Sequence, residues 1–204
     1  MLKLIKTDFS ISGKTLILVL IYTLIFPILF RYSAYMSTVG ALSVYIFVLG
    51  LFAAEERDRV NLLYKIMPVR AEDIVGAKYV ECVLVWAIAT VINVIVIFVM
   101  TKNSMITEQV NYADNILSSF VTMGIVAGVT LPFVYKYGYT RSRIPIMFIW
   151  IGLAFATPMT ASVMGYLSEE AGFPTTAVLT AGAVIAAAVM AVSARISVGI
   201  YKKE

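Results

Sequence analysis

Six apolar stretches, each long enough to cross a bilayer or nearly so, fill most of this 204-residue chain, and its positive charge sits in alternate gaps between them. A hydrocarbon core of about 30 Å takes about 20 helical residues at 1.5 Å each. The stretches Thr15–Phe30, Ser37–Ala54, Tyr79–Met100, Asn115–Tyr135, Ile144–Met164 and Thr175–Ala194 are therefore read as transmembrane helices. Each satisfies its own backbone hydrogen bonds, as hydrocarbon demands. The expected fold is an all-α polytopic membrane protein with six transmembrane helices, forming one transmembrane domain over residues 1–204.

Cytoplasmic loops retain Lys and Arg, so the basic gaps orient the chain. Lys3, Lys6 and Lys14 precede the first span, and Arg57, Arg59, Lys65, Arg70 and Lys78 separate the second from the third. Lys136, Arg141 and Arg143 separate the fourth from the fifth, and Arg195, Lys202 and Lys203 follow the sixth. The other side has only Arg31 and Lys102. Fourteen of sixteen basic residues thus predict cytoplasmic N- and C-termini in a multi-pass protein of the cell membrane of a bacterium.

The chain is 61% hydrophobic and 14% charged, too little polar sequence for a separate soluble domain. Its net charge of +4 is accounted for by the positive-inside bias, so no nucleic-acid partner is implied; membrane lipid is the expected surroundings. The single cysteine, Cys82, falls in the third span as a packing residue, and histidine is absent. Haem, catalytic zinc and the commonest general base near neutral pH are thereby disfavoured. The first apolar stretch runs past Pro27 without a small-x-small cleavage site and reads as a retained span. Gly13-Lys14-Thr15 imitates the end of a phosphate-binding loop, but Asp8 stands where that loop needs its first glycine. No ATP site, metal or cofactor is expected in this chain.

Leu2, Ile5 and Phe9 fall at helical spacing, with Lys3, Lys6 and Asp8 elsewhere, which predicts an interfacial elbow helix over residues 1–14. Pro27, Pro132, Pro145 and Pro158 punctuate the spans; Pro27 and Pro158 are candidates for kinks that gate a pathway. A break at Pro158 would leave Met159–Leu167 as a short outer piece, with Pro174 opening the sixth span. Gly124 and Gly128 form a Gly-x-x-x-Gly pair, and Gly182, Ala183 and Ala186 give the sixth span a small face for close packing.

The most specific segment is the cytoplasmic connection 55–78. Leu62, Leu63, Ile66 and Met67 make one apolar face on a short helix, and Arg59, Asn61 and Lys65 keep the rest polar. Pro68 should end that helix. A second should start after it, with Glu72 and Asp73 in the favoured first turn, and run directly into the third span. Such a knob, fixed rigidly to a membrane helix, can transmit force. An amphipathic turn that serves only topology is the plainer alternative.

In this slot the sequence resembles the membrane subunits of ATP-binding cassette (ABC) type-2 transporters, in particular the small bacterial permeases of the phenol-soluble-modulin exporters. The resemblance rests on six spans, the elbow, Glu55-Glu56 before a Leu-rich turn, then Met67-Pro68-Val69-Arg70, Asp73-Ile74-Val75 and Lys78-Tyr79. Arg70 and Ala71 depart from the family's Ser/Thr and Arg/Lys. The resemblance implies that 55–78 is a coupling helix docking into an ABC ATPase subunit, with Arg57, Arg59, Leu62, Leu63, Tyr64, Ile66, Met67, Pro68, Arg70, Glu72 and Asp73 at the interface. It implies ATP and Mg on that partner, a homodimer or a heterodimer with a similar permease, and export of an amphipathic or antimicrobial peptide. Two other classes compete. A membrane anchor or immunity-type protein would act by binding alone. An intramembrane lipid enzyme needs acids at depth, where the sequence offers only Glu81, expected to pair with Lys78 near the surface.

Overall fold

The structure is a computed structural model that describes residues 2–29, 38–58, 70–103, 111–152 and 175–202. All regular structure among these residues is helical. In chain order the helices are α1 (Leu2–Ile11), α2 (Gly13–Leu29), α3 (Thr38–Arg57), α4 (Ala71–Lys102), α5 (Tyr112–Tyr137), α6 (139–152) and α7 (Thr175–Tyr201). Four of them, α3, α4, α5 and α7, are long and apolar enough to cross a membrane, and α1 with α2 makes a fifth when that pair is taken together. The expected fifth span is described only as far as residue 152. Pro158, the Met159–Leu167 piece and Pro174 lie outside the described residues.

The sharpest bend is at Ser12, where α1 turns 73° from α2. Leu4 and Ile11 of α1 pack with Ile74 of α4, and the Phe9 ring lies 5.5 Å from that of Phe47 in α3. The elbow thus rests on protein. Proline does not end α2 or α5: Pro27 is buried inside α2 and Pro132 lies inside α5. What ends α5 is Gly138, whose φ of 74° is left-handed and suits a residue without a Cβ. Helix α6 then begins at residue 139 rather than at Pro145, with Ser142 Oγ donating back to the Gly138 carbonyl at 2.6 Å.

Helices α5 and α7 form the most extensive pairing, and small residues permit it. A Cβ on Gly124 would lie 2.8 Å from Ala186 Cβ, and one on Gly128 would lie 3.0 Å from Val189 Cγ1. The Gly-x-x-x-Gly face is therefore used within the subunit. Gly40 plays the same part for α3, where a Cβ would meet Ser119 of α5, Thr90 and Trp86 of α4. Phe47, Leu51, Val85, Met123, Leu131, Ile146 and Trp150 belong to the core these helices share. Facing outward are Ile17, Leu24, Val91, Phe98, Phe148, Val184 and Val192, the apolar exterior that a lipid environment requires.

Candidate functional site

Contacts gather one set of helix ends. Thr140 Oγ1 at the start of α6 donates to Glu56 Oε1 at the end of α3, 2.5 Å away. Lys202 after α7 pairs with Glu72 at the start of α4, 2.8 Å. The Tyr135 ring near the end of α5 lies edge-on to Phe52 of α3 and to Tyr201 of α7. Arg57, Arg70, Lys136, Arg141 and Lys202 lie at or next to these helix ends. At the opposite end, Thr176 of α7 donates to Asp114 Oδ1 of α5 at 3.1 Å.

Just inside the basic end lies a buried ionic cluster. Lys78 in α4 is 2% exposed and its ammonium donates to Asp8 Oδ2 of α1 at 2.6 Å and to Glu55 Oε1 of α3. Glu81, one turn further along α4, stands 3.9 Å away, an ion-pair contact outside hydrogen-bond reach. The three acids are 1%, 2% and 0% exposed. The Phe52 ring centroid lies 5.9 Å from the ammonium and walls one side. Helix position explains the convergence: Asp8 lies four residues from Leu4 and three from Ile5, on the side of α1 turned to α4. Glu55 is the last buried residue of α3, while its neighbour Glu56 is exposed.

Beside the cluster, Tyr79 crosses to α7. Its hydroxyl lies 2.7 Å from Ser193 Oγ and 3.1 Å from Ser197 Oγ. Ser193 spends its single proton on the Gly128 carbonyl at 2.6 Å, so Tyr79 donates to Ser193 and accepts from Ser197. A continuous relay therefore joins α4, α7 and α5.

Of the expected interface residues, Arg59, Leu62, Leu63, Tyr64, Ile66, Met67 and Pro68 lie outside the described residues. Arg57 and Arg70 are exposed, and Arg57 pairs with the adjacent Asp58 at 2.8 Å, a contact that holds the Asp58 carboxyl below its ordinary pKa. Glu72 is exposed and Asp73 half-buried in the first turn of α4, where the helix dipole favours them. The Lys202 ammonium holds the Glu72 carboxyl below its ordinary pKa. Sequence reasoning paired Glu81 with Lys78 but placed Asp8 on the polar side of the elbow and gave Glu55 no partner. The signal for Asp8 was its register with Leu4 and Ile5.

Among the described residues no group of three or more His, Cys, Asp or Glu side chains is placed to hold a metal. The acids converge on an ammonium instead, and Cys82 beside them is buried. What this arrangement can do is tie α1, α3 and α4 together through buried ion pairs. No curated protein and no solved structure matches the chain. The family described as ABC-2 family transporter protein matches residues 3–202, nearly the whole chain. A bundle of apolar helices, matched from the elbow to the end of α7, makes this protein a member of the ABC-2 transporter family.

Proposed function

We propose that the chain is the permease subunit of an ABC exporter, moving an amphipathic or hydrophobic substrate of peptide type across the cytoplasmic membrane. The observation that carries this reading is the family match over residues 3–202. A separate ATPase subunit docks on the basic end, binds ATP and Mg, and drives two paired permeases, identical or similar. The segment 55–78 is the coupling element. It leaves α3 and enters α4 without a break between Ala71 and the membrane-spanning part of that helix, so a push on it moves α4 as a rigid rod.

The test is co-expression with the ATPase, followed by affinity capture and transport in inside-out vesicles. Leu63→Asp or Met67→Asp puts a charge into a desolvated contact and should abolish capture and ATP-driven transport, whereas Asn61→Asp should leave both intact. Full capture and transport by the Asp variants would refute the coupling role of 55–78. A permease that recruits no ATPase would favour an anchor or immunity protein.

A further inference from the structure

We propose that Lys78 is a partner-exchange latch at the neck of the 55–78 segment: it clasps Glu55 and Asp8 while the neck is closed and passes to Glu81 when α3 and α4 move apart. The inference rests on the reading of 55–78 as the element that receives force. Glu55 and Lys78 are the two ends of that segment, and their contact ties those ends to each other. Asp8 adds the elbow to the same clasp at 2.6 Å.

The geometry shows one arrangement and places the acceptor for a second beside it. An ammonium has three donors, and here three carboxyls surround it from α1, α3 and α4. Only two are within hydrogen-bond distance. The third, Glu81, is three residues along the same helix and travels with Lys78 whatever α3 does. Loss of Glu55 alone would leave a buried ammonium short of an acceptor in surroundings of low dielectric, which is heavily disfavoured. Glu81 removes that obstacle, because closing 3.9 Å to bonding distance takes a side-chain rotation and no backbone movement. Cys82 and Tyr135 also lie beside the cluster, but neither carries a carboxylate and neither offers the ammonium a second counter-charge.

A plain staple would be built differently. Buried ion pairs are often replaced by apolar residues without loss of stability, and a third carboxyl on the same helix as the ammonium adds no tie between helices. An excess acid on the moving helix serves exchange. Ionisable groups at this depth in a membrane protein commonly belong to its working parts.

The test uses full-length permease, alone and with its ATPase, carrying Glu55→Gln or Glu81→Gln. Cys82, the only cysteine and 1% exposed, reports neck opening through its rate of modification by N-ethylmaleimide in vesicles without ATPase. Glu55→Gln unlatches the neck, so Cys82 should react at least about five-fold faster, and ATP hydrolysis by the complex should no longer depend on transport. Glu81→Gln removes the receiving partner: Cys82 should react no faster than in wild type, and transport-coupled hydrolysis should fall at least about five-fold. An unchanged Cys82 rate in Glu55→Gln, a faster one in Glu81→Gln, or undiminished transport-coupled hydrolysis in Glu81→Gln overturns the latch. If Glu55→Gln does not accumulate, Glu55→Asp is read instead; its shorter side chain should give a rate above wild type, and a wild-type rate overturns the proposal. Failure of the wild-type permease to recruit an ATPase would sink the transporter reading, while the Cys82 rates would still decide the latch.

Discussion

Gly124→Ala should destabilise the bundle by about 1–3 kcal/mol although it adds a single methyl group to a helix. Its Cβ would lie 2.8 Å from Ala186 Cβ and 3.3 Å from the Ala186 carbonyl oxygen, where unstrained carbon contacts are about 3.5–4.0 Å. Relief requires α5 and α7 to part by about 1 Å at that level, and a gap of that size forfeits between a quarter and a half of each atom-pair attraction. Lipid tails are as apolar as the helix surfaces, so little besides close packing holds this pair together. Unfolding by sodium dodecyl sulfate in mixed micelles, followed by circular dichroism, measures the loss. Ala186→Gly removes the opposing methyl, and in the double variant a coupling of about 0.5–3 kcal/mol should restore most of it. Gly199→Ala is the control, since no atom lies within 4 Å of its Cβ; it should be neutral or stabilise by up to about 1 kcal/mol through helix propensity. If Gly124→Ala unfolds with Gly199→Ala, the close approach of α5 and α7 is wrong.

Three further outcomes are expected. In a Cys82→Ser background, cysteines at Asn103 and Asn111 should react with an impermeant thiol reagent from outside intact cells, and one at Asp58 should not; the opposite pattern would reverse the topology. Thr23→Val combined with Ser43→Ala should show a coupling of only about 0.6 kcal/mol, the usual worth of a hydrogen bond between membrane helices, across the 3.2 Å contact that joins α2 and α3. The Glu72 carboxyl should titrate below an ordinary glutamate and return upward in Lys202→Met, as followed by carboxyl-carbon NMR. Because its pKa is lowered in the folded state, the stabilisation from this pair is present above the ordinary glutamate pKa and is lost as pH falls through the lowered value.

Four of the expected spans, found as α3, α4, α5 and α7, were legible because a span must be apolar along its whole length, and composition alone shows that. Helix ends were not, because an end is set by local polar chemistry. Arg195 interrupts the apolar run of the last span, yet α7 continues to Tyr201, since Ser197 bonds Tyr79 and the Tyr201 ring packs edge-on to Tyr135. The third span begins at Ala71 in the structure, eight residues before its apolar run, as Pro68 and the acidic first turn foretold. Pro145 was misleading as a start, because Gly138 had already broken the chain and the helix resumes at once.

The ionic cluster was harder to see for a different reason. Each member looks ordinary in its own neighbourhood: Asp8 in a short helix with lysines, Glu55 in an acidic pair, Lys78 among residues that fix orientation. Only Lys78 and Glu81 are close enough in sequence to be paired by helical spacing; Asp8 lies 70 residues from Lys78 and Glu55 lies 23. A positive-inside count treats Lys78 as one of fourteen equivalent cations, but burial makes it unlike the others. A cation fixed between three acids cannot serve as a simple surface signal of orientation. Its cost is set by the number of acceptors that remain in reach as the helices move, and that number depends on Glu81. The residue that sequence reasoning assigned to quiet pairing at the surface is thus the one that gives the cluster a second arrangement.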